Sequence, residues 1–207
     1  MIINSIVVSQ FQTNCYIIGF KEISRGIIID PGDESEKILK LIEKNNFNIN
    51  HILHTHGHID HIGGTAKIKE ITGARTFIHR DDLSLYKNLM IQGEAFGMIL
   101  DEPPEIDEFF KDGDKINFNG IIIEIIHTPG HSPGSVCFKT ENKLFSGDTL
   151  FNMGIGRTDL WGGSHHKIMK SINEKLLTLN DNTIVYPGHG PETTIGYEKV
   201  NNPYINL

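Results

Sequence analysis

The chain has 207 residues, of which 38% are hydrophobic and 22% charged, and a formal net charge of −7. That size suits one domain with a sizeable core, and the acidic balance gives no basic footprint for nucleic acid or an anionic membrane surface. No apolar run approaches the roughly 20 residues of a membrane span. The stretch Met1 to Gln10 has neither a basic n-region nor a small-residue cleavage site, and Cys15 and Cys137 sit far apart in apolar, strand-like stretches. The expectation is a cytoplasmic protein with reduced, buried thiols.

In chain order, the short β-branched or aromatic runs Ile2–Val8, Cys15–Phe20 and Gly26–Asp30 predict strands, the last closed by the turn signal Asp30-Pro31-Gly32. Apolar Ile38, Leu39, Leu41 and Ile42 predict a helix. His51–His54 reads as a short strand. A histidine-rich loop follows, then a helix over Gly64–Thr72 and a strand at Arg75–His79. Residues 88–110 are the least regular part, either a crossover segment with room for a short helix or a wall over a site. Strands return at Lys115–Phe118, Ile121–His127, Ser135–Lys139 and Lys143–Ser146. A helix over Ser164–Leu177, a strand at Thr183–Tyr186 and a helical turn or two within Thr194–Asn201 complete the chain. Two blocks of strands, each followed by helix, predict two sheets packed face to face with helices outside. With no linker or repeat in view, residues 1–207 read as a single domain.

Eleven histidines are unusual for this length, and their clustering matters more than their number. The segment His54-Thr55-His56-Gly57-His58-Ile59-Asp60-His61 follows a strand and precedes Gly63-Gly64 and a helix. Burying so many polar groups costs several kcal/mol unless each is paired or bound to metal. A loop between strand and helix can aim them at one point, and imidazole with carboxylate suits zinc, iron or manganese. Three later segments share one form, a strand, a glycine-containing turn and one His or Asp. They are His127-Thr128-Pro129-Gly130-His131 followed by Ser132-Pro133-Gly134, Phe145-Ser146-Gly147-Asp148-Thr149, and Tyr186-Pro187-Gly188-His189-Gly190. No cysteine lies in these motifs, which excludes a thiolate-rich zinc site. His51, His79, His165 and His166 fit no motif position and read as surface or structural residues. His54 and His127, each at a strand end before a candidate ligand, read as supports or structural residues.

This order of motifs, from Asp30 to the Gly-His-Gly-Pro-Glu-Thr-Thr-Ile-Gly-Tyr-Glu stretch, resembles the metallo-β-lactamase superfamily. Within it, the chain is similar to the glyoxalase II (hydroxyacylglutathione hydrolase) group. The resemblance implies an α/β (α+β) fold, a four-layer αββα sandwich with the site at one edge of the two sheets. It also implies two divalent metal ions, zinc first, with iron or manganese as alternatives. By the resemblance His56, His58 and His131 hold the first metal, Asp60, His61 and His189 the second, and Asp148 bridges both. Asp30, besides being a turn residue, would brace the His loop by hydrogen bonds. Arg157 stands where similar proteins place a cationic residue to hold a carboxylate or the glutathione moiety. An ion pair with a residue such as Asp159 is the alternative.

The chemistry so implied is hydrolysis of a small thioester, S-2-hydroxyacylglutathione or a relative, by a metal-bridging hydroxide. Two cations sharing a water lower its pKa to roughly 7, against about 15.7 in bulk, and stabilise the oxyanion. Asp60 and Asp148 are then the catalytic carboxylates, Asp60 orienting the hydroxide as well as binding metal. A thiolate with a pKa of about 8.5 leaves with little acid assistance. The longer glyoxalase II enzymes carry an extra C-terminal helical region with glutathione contacts, which this chain is expected to lack. The same motifs leave open a persulfide dioxygenase with one Fe(II) on His56, His131 and Asp148, a lactonase or other esterase, and a non-catalytic binding module. The bridging Asp148 counts against the β-lactamases, and the net charge against the nucleic-acid-processing members. The expected partner is a small molecule, a glutathione thioester, with neither nucleic acid nor membrane.

Overall fold

The computed structural model describes residues 1–20, 24–118 and 120–205. The chain forms two compact units, Met1–Ile78 with Leu83–Phe109, and His79–Asp82 with Phe110–Leu207.

The first unit is built on a six-stranded sheet in the order β1-β2-β3-β4-β5-β6. Its strands are β1 (Ile2–Val8), β2 (Thr13–Phe20), β3 (Arg25–Ile29), β4 (Asn48–Leu53), β5 (Arg75–His79) and β6 (Glu108–Phe110). The first three run antiparallel, whereas β3, β4 and β5 run parallel. Parallel neighbours need a crossover, and α1 (Ser35–Lys44) and α3 (Thr65–Thr72) supply the two required here. Ile38 and Ile42, one turn apart on α1, are buried with Ile17, Ile28, Ile49, Ile52 and Ile68 in this unit's core. Because β3 and β4 point the same way, Asp30 and the loop beginning at His54 emerge at one edge, the carboxyl end where α/β sheets place their ligands. That loop runs into the single helical turn α2 (Ile59–Ile62).

Within the irregular stretch predicted over residues 88–110, Leu89–Ala95 form the short helix α5 and Glu108–Phe110 form β6, with turn and loop between them, and α4 (Leu83–Lys87) precedes the stretch. Tyr86 and Leu89 are buried with Ile59, Ile62 and Ile78, so these helices pack beside α2. Their periodicity is hard to read because α5 carries Gly93 and leaves Met90 and Ile91 exposed.

The second unit holds a six-stranded sheet in the order β14-β13-β10-β9-β8-β7. Its strands are β7 (Lys115–Phe118), β8 (Ile121–His127), β9 (Val136–Thr140), β10 (Lys143–Gly147), β13 (Ile184–Pro187) and β14 (Thr193–Thr194). A two-stranded ribbon, β11 (Leu150–Phe151) with β12 (Gly154–Ile155), forms a separate sheet whose Leu150 is buried in this unit's core. Among the described residues, the neighbouring strands of the large sheet pair antiparallel except β10 with β13. The crossover between those two is α6 (His165–Ser171), whose N-cap Ser164 accepts a hydrogen bond from the Lys167 N–H. The predicted helix over Ser164–Leu177 widens after Ser171 into one π-turn, Ile172–Leu176. Ile168, Ile172 and Leu176 are buried with Cys137, Leu144 and Val185, and α7 (Ile195–Asn201) adds Ile195. Both cysteines are buried and free, as expected. Among the described residues, no helix is long and apolar enough to cross a membrane.

Candidate metal centre

In the first unit the site is organised by Asp30. The residue closes β3 with a positive φ of 52° and is 2% exposed. Asp tolerates this left-handed conformation better than most residues. Its N–H bonds the Leu53 carbonyl at 3.1 Å, tying the ends of β3 and β4 together. Its carboxylate accepts from the Thr55 N–H at 2.8 Å and the Thr55 hydroxyl at 2.6 Å, and lies 3.0 Å from His61 Nδ1. Since the Thr55 hydrogen goes to Asp30, Thr55 Oγ1 accepts from His56 Nδ1 at 3.0 Å. His56 and His61 therefore carry their hydrogens on Nδ1 and present Nε2 as a lone pair, the form in which a braced imidazole binds metal.

The candidate ligands lie close together. The His56 ring is 4.8 Å from His58 and 4.1 Å from His61, centroid to centroid. His61 Nε2 is 3.5 Å from Asp60 Oδ2, an oxygen that also accepts from the Thr13 hydroxyl at 2.9 Å. Gln92 of α5 fixes the loop from the other side, accepting from the Ile59 N–H at 3.0 Å and donating to the Gly57 and Leu85 carbonyls. The Asp30-Pro31-Gly32 turn packs against α2 so closely that a Cβ on Gly32 would run into the Asp60 carbonyl.

In the second unit three strand ends supply the residues. β8 and β10 both run antiparallel to β9, and β10 is parallel to β13, so all three end at the same edge. Asp148 follows β10 and His189 follows β13, linked by the Gly188 N–H on the Gly147 carbonyl at 2.8 Å. Asp148 Oδ2 lies 3.4 Å from His189 Nε2 and 3.6 Å from His131 Nε2. His131 Nδ1 donates to the Arg157 backbone carbonyl at 2.8 Å, which again leaves Nε2 as the lone pair. A Cβ on Gly156 would run into the Asp148 carbonyl, so glycine is required there too.

These separations test whether the residues suit a metal. A nitrogen lone pair facing a carboxylate oxygen is repulsive unless a cation lies between them. Tetrahedral bonds of about 2.0–2.2 Å would hold N and O about 3.4 Å apart. The His61–Asp60, His189–Asp148 and His131–Asp148 distances of 3.5, 3.4 and 3.6 Å match that requirement within each unit. The donor set fits divalent cations.

The other sequence candidates fall outside these clusters. The Arg157 guanidinium grips Asp159 with two contacts of 2.7 Å, both side chains being exposed. The pairing raises the Arg157 pKa and holds Asp159 at about 2. Arg157 thus reaches His131 through its carbonyl while its side chain forms the ion pair weighed in the sequence. His54 is buried against the Thr65 hydroxyl, and burial, then the nearby His61, depress its pKa to about 3, so it stays neutral. His51 packs on Phe77, and His165 and His166 are exposed. His79 and His127 stack at 4.0 Å with an 11° interplanar angle, beside Asp81. Two parallel ring planes that far apart cannot both contain one cation, so this is a packing pair. Thr13, Thr55 and Gln92 were missed in the sequence. Only Thr55, inside the histidine motif, carried any local signal.

The family model for the metallo-β-lactamase superfamily matches residues 8–189, and the chain belongs to that superfamily. It has the metallo-β-lactamase fold and is a metallo-hydrolase. Among its relatives, the hydroxyacylglutathione hydrolase GloC of Haemophilus influenzae is 40% identical over 215 residues, covering 100% of this chain and 99% of that protein. The crystal structure of BLEG-1 B3 metallo-β-lactamase superposes with a TM-score of 0.93 at 33% identity, covering 100% of both chains. TTHA1623 in a di-iron-bound form gives a TM-score of 0.89 at 35% identity, covering 97% of this chain and 99% of that one.

Proposed function

We propose that the two clusters act as one dinuclear centre in a single catalytic domain. His56, His58 and His131 serve one cation, Asp60, His61 and His189 the other, and Asp148 both. The observation that carries this reading is the set of imidazole–carboxylate separations of 3.4 to 3.6 Å, each spaced for an intervening cation. Zinc is the proposed metal. Iron is the alternative, because TTHA1623 is described in a di-iron-bound form.

The proposed reaction is hydrolysis of a small thioester, S-2-hydroxyacylglutathione first, supported by the identity with GloC. Bound divalent cations supply an activated water near neutral pH and polarise the substrate carbonyl. The chain's own part is to hold that chemistry in place. Thr13 donates to Asp60 Oδ2 and so fixes the carboxylate that orients the nucleophile. Asp30 and Thr55 keep the imidazoles of His61 and His56 aimed by engaging their Nδ1 atoms. A thiolate leaves without an acid, so none need be built into the site. The two buried, free thiols fit a proposed cytoplasmic location.

The test is hydrolysis of S-lactoylglutathione without oxygen, by protein whose metal content has been measured. Rapid turnover at two metals per chain supports the reading. No thioester turnover, with oxygen consumed on glutathione persulfide, would replace it with the one-iron dioxygenase on His56, His131 and Asp148. Turnover of a β-lactam or lactone alone would move it to those substrates.

A further inference from the structure

Between β5 and α4 the chain makes a 3-10 turn, Arg80–Asp82, that belongs to the second unit. Asp82 at its end is 0% exposed. A carboxylate so withdrawn from water is costly unless its oxygens are hydrogen-bonded. The turn that follows His131 engages both of them. The Ser132 hydroxyl donates to Oδ2 at 2.6 Å and the Gly134 N–H to Oδ1 at 2.5 Å. Because the Ser132 hydrogen goes to Asp82, the Ser135 hydroxyl donates to Ser132 Oγ at 2.7 Å, and Ser135 Oγ accepts from the Ser132 N–H at 3.1 Å. Ser132 and Ser135 are themselves buried. The whole turn is thereby fastened to one carboxylate distant in sequence.

His131 adjoins that turn, and its ring is held separately by the Arg157 carbonyl at 2.8 Å. The ring contact sets the tilt of the imidazole, and the turn sets where its backbone starts. Both are needed to keep Nε2 at 3.6 Å from Asp148. We infer that Asp82 is a positioning residue for His131, fixing through Ser132 and Gly134 the backbone from which this ligand projects. The inference rests on the dinuclear reading. It adds that affinity for the cation on His131 is set from outside the ligand set.

The test is a Co(II) titration followed by visible absorption, with thermal unfolding as a parallel readout. Wild-type protein is expected to bind two equivalents, and failure to do so would overturn the dinuclear reading itself. Asp82→Asn keeps the side-chain volume but sets an NH2 group against the Ser132 or Gly134 donor. Ser132→Ala removes the same link at its other end and serves if Asp82→Asn does not fold. Each is expected to weaken one equivalent about 10- to 100-fold, the usual effect of losing such a support. The other equivalent should keep its affinity and spectrum. Ser132→Thr, which retains the hydroxyl, should titrate like wild type. Unchanged affinity for both equivalents in Asp82→Asn and Ser132→Ala would overturn the inference. So would equal weakening of both in step with a lowered melting temperature.

Discussion

The two units hold their candidate ligands in different ways. In the first, His56, His58, Asp60 and His61 come from one loop and are fixed mainly by side chains, those of Asp30, Thr55, Thr13 and Gln92. In the second, His131, Asp148 and His189 come from three strand ends and are fixed through the main chain, by the β10–β13 register, the Arg157 carbonyl and a turn after His131 whose backbone is itself anchored on Asp82. A short loop has no ladder of its own, so it depends on individual side-chain hydrogen bonds. Ligands on strand ends take their order from the sheet. The first cluster should therefore fail through single side chains that touch the ligands, and the second through changes that move the main chain, the Asp82 anchor of the His131 turn included.

The largest expected effect is that of Asp30→Ala. It leaves the Thr55 N–H, the Thr55 hydroxyl and the His61 ring without their buried acceptor. Each lost partner costs about 1–3 kcal/mol, so a destabilisation of about 3 kcal/mol or more is expected in urea unfolding, with loss of metal. A variant that kept wild-type stability would break the claim that side chains hold the loop. Next is Gly156→Ala, which adds one methyl against the Asp148 carbonyl and forces the main chain to shift. Overpacking of this kind costs about 1–3 kcal/mol, and metal analysis should show weakened binding although no polar group has changed. Gln92→Leu removes three part-buried hydrogen bonds, from the Ile59 N–H and to the Gly57 and Leu85 carbonyls, should cost about 1–3 kcal/mol, and should lower metal affinity with little change in fold. Its near-equivalent in the second unit, removal of the Arg157 side chain, leaves the carbonyl in place and should not change metal content.

The smallest effect at neutral pH lies outside both clusters. Partial burial of Asp107 opposes its charge. The Lys69 ammonium and the Thr76 N–H and hydroxyl outweigh it and hold the carboxyl at about 2. A carboxylate depressed in the folded state contributes stability above its unfolded pKa, about 3.9, that is lost as pH falls through the folded value. The melting temperature of wild type should therefore fall between about pH 4 and pH 2 more steeply than that of Asp107→Asn. The pair is partly exposed, so at pH 7 the difference should be under about 1 kcal/mol.

The same contrast explains what was legible in the sequence. The histidine loop announced itself because its ligands are neighbours in the chain. Asp148 and His189 were legible because a glycine-containing turn follows each of their strands, and Asp30 through its Asp-Pro-Gly turn. Gln92 and Asp82 act across long sequence separations, on helical elements whose local pattern says nothing of a loop they reach only after folding. Thr13 lies between the predicted strands Ile2–Val8 and Cys15–Phe20 and belongs to no motif, so nothing local singled it out. α4 and α5 were blurred by Gly93 and by exposed Met90 and Ile91, and β14, only two residues long, gives no periodicity to detect. The π-turn after α6 has the same apolar spacing as an α-helix at that length, so the helix was foreseen and its widening was not.

The main-chain contact from Arg157 to His131 has an evolutionary consequence. Every amino acid supplies the same carbonyl, so the side chain at that position can be exchanged without unseating the ligand. Drift at residue 157 would then alter what the surface beside the centre recognises while the inorganic chemistry is inherited unchanged. A lineage of such enzymes could diversify its substrates one exposed residue at a time.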